Sequence, residues 1–92
     1  MPYIKQEDRE RFNAALQHVP EFTGKGELEY CIYYLMIKYM ESIDFTYSNL
    51  HDVVYAAIHC GDEFRRRNLD IRENQAIENN GDIICSALRT KV

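Results

Sequence analysis

The feature that most constrains the fold is a set of apolar positions between residues 50 and 64 that recurs every three or four residues. Its members are Leu50, Val53, Val54, Ala57, Ile58, Gly61 and Phe64. Because an α-helix has 3.6 residues per turn, this spacing places all of them on one face. The spacing predicts a helix over 48–67 with one buried side, and Thr46 or Ser48 as its N-cap. Gly61 within the face would let another backbone approach closely.

A second helix, predicted over 27–42, is apolar on almost all sides. A first arc contains Leu28, Ile32, Leu35, Met36 and Tyr39, and a second arc contains Tyr30, Tyr33, Ile37 and Met40. Lys38 is the one charged residue between positions 30 and 40. A helix of this kind must be covered on more than one side. Either neighbouring helices of the chain cover both arcs, or the second arc meets another subunit, as a dimer or larger ring.

The remaining segments also read as helix or loop. The pattern predicts a helix over 6–19 that Pro20 ends, and a short helix over 71–79 that Asn80-Gly81 stops in the left-handed manner. The tail 82–92 is apolar and is expected to be an extended strap or a short strand. The sequence therefore predicts an all-α fold: a small helical bundle of three main helices, a short fourth helix and an extended C-terminal tail. We expect a single helical domain over 1–92.

The charge balance and the cysteines bear on partners and compartment. Lys and Arg number 11 against 15 Asp and Glu, a net charge of −4, so we expect no direct DNA or RNA binding. The chain lacks a membrane-length apolar run, and MPYIKQEDRE lacks the apolar core of a signal peptide. Cys31, Cys60 and Cys85 are widely spaced, which favours reduced, mostly buried thiols and argues against zinc. We expect a cytoplasmic protein that binds no metal.

Three consecutive arginines, Arg65 to Arg67, end the third predicted helix. In one interpretation they are a solvated helix end, where Asp62 pairs with Arg66 and Glu63 with Arg67 at i,i+4. Such exposed pairs are common and need no function. Cations are also favoured at a helix C-terminus by its dipole.

In the other interpretation the arginines belong to a ligand site. One flank of the helix carries His51, Tyr55, Ile58, Asp62, Arg65 and Arg66. A tyrosine ring is a stacking surface and a guanidinium binds phosphate or carboxylate in bidentate fashion. The predicted ligand-binding residues are Arg65, Arg66, Tyr55, Tyr33 and His51, and the ligand is small, anionic and nucleotide-like.

Catalytic patterns are weak. No Ser-His-Asp or Cys-His arrangement is indicated, and ELE and DE lie on separate helices without the ExxE spacing by which all-α nucleotide pyrophosphatases hold magnesium. We expect neither an enzyme nor a cofactor.

Four short pieces carry a family resemblance: MPYIKQEDRERF at the start, GELEY opening the second helix, EFRRR closing the third, and ENNGDI after the last. With these pieces the chain resembles a family of small uncharacterised proteins from bacterial phages and mobile elements. That family usually reads ENGDV followed by Tyr, whereas this chain has the additional Asn80. The resemblance implies a helical, non-enzymatic, phage-related protein located in the host cytoplasm, and it brings no catalytic residues.

Two hypotheses about function follow. The chain is a non-catalytic binding protein that sequesters the anionic ligand to counter host defence, or it is an inhibitor that docks directly on a host defence protein. The simplest alternative to both hypotheses is that the chain is a structural or assembly module with no small ligand. In each case we expect a homo-oligomer formed through Tyr30, Tyr33, Ile37 and Met40.

Overall fold

The computed structural model describes residues 2–83 and is all-α. The helices are α1 (Gln6–Gln17), α2 (Lys25–Glu41), α3 (Tyr47–Phe64) and α4 (Asp70–Asn80), and a π-helical turn over Arg65–Leu69 lies between the last two. No strand occurs within residues 2–83. The predicted fold class, with three main helices and a shorter fourth, is confirmed. The predicted tail covers residues 82–92, and all of it after Ile83 lies outside the described residues.

Helix α1 ends at Gln17, two residues before the predicted end at Val19. The backbone N–H of His18 donates to the carbonyls of Ala14 and Ala15, and its Nδ1 lies 2.9 Å from the Ala14 oxygen. These contacts satisfy carbonyls that a helix end leaves without a partner. Before the helix, Arg9 Nε donates to the Ile4 carbonyl at 2.8 Å and holds the preceding segment.

Helix α2 begins two residues earlier than predicted, and Glu27 holds its start. The Glu27 carboxylate accepts a hydrogen bond from the Thr23 backbone N–H at 2.7 Å. This contact resembles half of a capping box, in which the third helical residue reaches back to the residues before the helix. Because the hydrogen bond favours the ionised form, it lowers the pKa of Glu27.

Helix α3 begins with a side-chain cap. The Asn49 backbone N–H donates to Thr46 Oγ1 at 3.1 Å, and the Asn49 side chain donates to the Asp44 carbonyl at 2.8 Å. Of the two predicted caps, Thr46 is therefore the one that the structure uses. The two bonds join the Asp44–Thr46 loop to the first turn of α3.

The prediction of regular α-helix up to residue 67 is wrong at its end. The α-helix ends at Phe64, and Arg65–Leu69 form a π-helical turn. Asn68 Nδ2 donates to the Phe64 carbonyl at 3.1 Å, so a side chain binds a carbonyl at the junction. A π turn is a wider turn with i→i+5 hydrogen bonds. The i,i+3 and i,i+4 spacing of apolar residues in the sequence does not indicate such a turn.

Helix α4 stops where the sequence predicts. Gly81 has a φ of 85°, and its N–H donates to the Ile77 carbonyl at 2.8 Å. The positive φ matches the prediction, although its ψ of 155° lies outside the left-handed helical region.

The chain divides into two compact units between Cys60 and Gly61. The first contains α1, α2 and most of α3, and the second contains the end of α3, the π turn and α4. A single domain over 1–92 stays a prediction.

Candidate binding surfaces

Most large apolar side chains of the first unit are exposed. Among the described residues Val53 is the one buried apolar side chain, with 8% of its surface exposed. Leu50 and Ala57, which share its face of α3, are half-buried. Monomeric proteins rarely expose large contiguous apolar areas. The exposed side chains are therefore the first place to look for a binding surface.

Both predicted arcs of α2 are exposed. In the second arc, Tyr30 is 69%, Tyr33 is 66% and Ile37 is 44% exposed. The first arc is similar, with exposures from 42% to 55% at Leu28, Ile32, Leu35 and Tyr39. Met36 of the first arc and Met40 of the second are half-buried. Neighbouring helices of the described chain therefore do not cover either arc in full.

A ladder of four rings runs along α3. We define the ring ladder as Tyr47, His51, Tyr55 and His59, which follow one another at i,i+4. Successive ring centroids are 4.4, 5.9 and 6.1 Å apart, and all four side chains are exposed. On the helix the ladder lies on the side away from Val53, because the four positions fall within a third of a turn opposite it.

The ring ladder includes two residues that sequence reasoning selected and two that it missed. His51 and Tyr55 were predicted as ligand-binding residues, and their rings are in contact. Tyr47 and His59 were not selected. The alternation of Tyr and His at every fourth position was the signal that would have found them.

Arg65 and Arg66 of the second unit are paired with nearby carboxylates of α3. Arg65 donates to Asp62 at 2.7 Å, and Arg66 donates to Glu63 at 2.6 Å. In both pairs the arginine follows its carboxylate by three residues. The predicted pairs, Asp62 with Arg66 and Glu63 with Arg67, have a spacing of four residues. Both spacings bring side chains together on a helix, and the i,i+3 spacing occurs at Arg65 and at Arg66.

The predicted ligand-binding residues fall into separate groups. His51 and Tyr55 belong to the ring ladder and Tyr33 to the second arc of α2, all in the first unit. Arg65 and Arg66 lie in the second unit, each within hydrogen-bonding distance of a carboxylate. An anion that bound these guanidinium groups would have to compete with Asp62 and Glu63.

An open pocket of about 500 Å³ lies beside the start of α2. Its lining consists of Val19, Pro20, Glu21, Phe22, Gly26, Glu27, Tyr30 and Cys31. Two carboxylates and no Lys or Arg occur among these residues, and none of the predicted ligand-binding residues is present. The pocket is therefore unsuited to an anionic ligand.

The thiols differ in exposure. Cys31 is half-buried, whereas Cys60 is exposed and both are free. The prediction of mostly buried thiols is therefore wrong for Cys60: it follows the buried Val53 by seven residues on nearly the same face of α3, but the cover over that face does not extend to position 60. Cys85 lies outside the described residues.

Residues 2–83 contain neither a metal-binding cluster nor a membrane-spanning helix. No group of three or more His, Cys, Asp or Glu side chains in residues 2–83 is placed to hold a metal ion. No helix in the described part of the chain has the length and apolar character needed to cross a membrane.

Comparison with known proteins gives a family. A family model described as a domain of unknown function, DUF6899, matches residues 1–83. The chain belongs to the DUF6899 family. No curated protein and no solved structure matches the chain significantly. The match fits the resemblance to an uncharacterised family, and the surfaces of this DUF6899 chain must be interpreted from their own chemistry.

Proposed function

We propose that this DUF6899 chain is a non-catalytic binding protein that acts by docking on another protein through the ring ladder of α3. The observation that carries the proposal is the ladder itself: four exposed rings in line on one helix. Tyrosine is enriched at protein interfaces because it supplies a large, stiff contact area and a polar hydroxyl. Tyr47, at 79% exposed, and Tyr55, at 50%, leave that area open to a partner.

The resemblance to proteins of phages and mobile elements suggests the setting. In that setting the partner is a host defence protein and the chain acts in the host cytoplasm as an inhibitor. The net charge of −4 favours a partner with a basic surface, such as a protein whose own ligand is a nucleic acid.

Self-association is part of the same proposal. The second arc of α2 (Tyr30, Tyr33, Ile37 and Met40) is the surface through which copies of the chain meet. It lies on a different helix from the ring ladder, so the two contacts have separate residues.

The test is capture of partners from bacteria that express the tagged chain, followed by native mass spectrometry of the eluted complexes. We expect a host protein to elute in a defined ratio with the wild type and to be lost from the double variant Tyr47→Ala, Tyr55→Ala. Tyr34→Ala is the matched control, because Tyr34 is 60% exposed on α2 and is not part of the ladder. A partner that both variants retain would contradict the proposal.

A second candidate function is sequestration of a small anionic, nucleotide-like ligand to counter host defence. It is favoured by the exposed guanidinium groups, since the side chains of Arg65 and Arg66 are 58% and 69% exposed. In this case Arg65 and Arg66 bind the phosphates through charge-assisted hydrogen bonds.

Calorimetric titration of a nucleotide panel separates the two candidates. If a nucleotide binds, replacing Arg66 by Ala should weaken binding by about 1.5–3 kcal/mol, the range for a hydrogen bond to a charged group. Replacing Arg67 by Ala is the control and should leave binding nearly unchanged. Absence of binding to the wild type would exclude the nucleotide and leave the protein partner, whereas equal binding by all variants would exclude the arginines as the site.

A further inference from the structure

Helix α2 exposes two separate apolar surfaces, one on each side of a covered strip. At 100° per residue, the centres of the first and second arcs are about 140° apart around the helix. Met36 and Met40 lie between the centres and are half-buried, whereas the outer members of each arc are exposed. The chain's own contacts therefore cover α2 in part at Met36 and Met40, between the arcs, and at Cys31 on the other side of the first arc, and they leave both arcs exposed.

Each arc is large enough to form the centre of an interface. With about 200 Å² for a full aromatic side chain and somewhat less for an aliphatic one, each arc exposes on the order of 300 Å². The largest apolar patch of a typical monomer is about 300–600 Å², and this single helix has two such surfaces. One standard interface covers about 800 Å² per partner, so it can bury one arc and its surroundings but not the opposite arc.

The charges on α2 permit two copies to approach. Neither arc contains a charged residue, and Lys38 projects from the side of the helix away from the covered strip. Two chains of net charge −4 can therefore place either arc in contact without opposing like charges at the centre.

We infer that each chain contacts two other copies through α2, one at each arc, and that the assembly is larger than a dimer. This inference rests on the proposed self-association at the second arc and adds the first arc as a further interface. The occupant of the first arc is thus a second copy, with Leu28, Ile32, Leu35 and Tyr39 in the contact.

Native mass spectrometry and light scattering at tens of micromolar test the inference. The wild type should be a trimer or larger. Tyr33→Glu should reduce the second-arc contact and Leu35→Glu the first-arc contact, so each variant should fall to a smaller species and the double variant to a monomer. Lys38→Glu is the control, because it introduces a negative charge on the same helix at an exposed position outside both arcs, and it should retain the wild-type mass.

The outcomes separate this inference from the proposal on which it rests. A wild-type dimer that Tyr33→Glu dissociates and Leu35→Glu does not would retain the second arc and overturn the inference. A wild-type monomer would overturn both. Circular dichroism verifies that each variant is helical, and Tyr33→Gln and Leu35→Gln take the place of any variant that is not. The wild-type mass decides the question even if no variant folds.

Discussion

Arg65 and Arg66 are adjacent, and each forms an ion pair with a carboxylate. The two carboxylates differ in exposure. The Asp62 side chain is 55% exposed, whereas the Glu63 side chain is only 12% exposed. An exposed ion pair contributes little, because water screens both charges. A largely covered carboxylate that loses a charged partner retains a desolvation cost.

We therefore expect Arg66→Ala to lower the free energy of unfolding by about 1 kcal/mol or more, and Arg65→Ala by less than about 0.5 kcal/mol. Urea unfolding at pH 7 measures both. The double variant Glu63→Gln, Arg66→Ala is the control and should recover part of the loss, since it removes the charge of the largely covered carboxylate. Equal losses for Arg65→Ala and Arg66→Ala would contradict the assignment of the two pairs.

Glu27 gives the molecule a defined response to acid. The hydrogen bond from the Thr23 backbone N–H lowers the pKa of Glu27 below its ordinary 4.5. A group whose pKa is lower in the folded state stabilises the fold above its unfolded pKa, and this contribution is lost as the pH falls through the folded pKa. The contribution of Glu27 is therefore complete above about pH 4.5 and decreases below it.

The variant Glu27→Gln tests this response. The difference in urea midpoint between wild type and variant should be largest at neutral pH and should shrink as the pH is lowered below 4.5. A carbon-detected NMR titration of the Glu27 carboxyl group measures the pKa directly. A midpoint difference that is the same at every pH would show that the ionised carboxylate is not what holds the start of α2.

At the scale of elements, two glycines with opposite roles are informative. Gly81 has a φ of 85° after α4, a conformation that other residues adopt only with strain. Gly61 is helical, and a Cβ atom built there would meet nothing within 4 Å. The close backbone approach that the sequence suggested at Gly61 is not present in the chain as described.

We expect Gly81→Ala to destabilise the protein by about 1–3 kcal/mol and Gly61→Ala to stabilise it by about 0.5–1 kcal/mol. The first change strains the backbone, whereas the second raises helix propensity without a clash. Thermal and urea unfolding measure both, and each variant serves as the reference for the other. A destabilising Gly61→Ala would point instead to a contact at that position with another molecule.

The elements were predictable where their signals are local. The existence of the helices, the Thr46 cap and the stop at Gly81 each depend on a few neighbouring residues, and these predictions are confirmed, whereas the ends of α1, α2 and α3 and the ψ of Gly81 differ from them. The π turn over Arg65–Leu69 was not predictable, because a single wide turn leaves no repeating pattern.

The candidate site was predictable only in part. The contact between His51 and Tyr55 follows from i,i+4 spacing on one helix. Whether Tyr33 or the arginines join them depends on how distant segments of the chain meet, which spacing along one helix does not specify. For the same reason, the sequence did not specify which segments cover the two arcs of α2.

At the scale of the whole molecule, association and folding should be coupled. A partner that binds only the folded chain raises its stability by mass action. The unfolding midpoint temperature should therefore rise with protein concentration over a hundredfold range measured by calorimetry. The double variant Tyr33→Glu, Leu35→Glu should show a midpoint that is independent of concentration. A wild-type midpoint that does not change on dilution would mean that the copies do not stabilise one another.

The ring ladder also makes the protein its own optical probe. The chain has seven tyrosines and no tryptophan, so its ultraviolet emission comes from tyrosine alone. Tyr47 and Tyr55 each lie within 6.1 Å of an imidazole ring, at a range where a neighbouring ring alters the excited state. A tryptophan-free partner that covers the ladder would displace water from these phenols and change their emission, so that docking can be followed in solution without attaching a label.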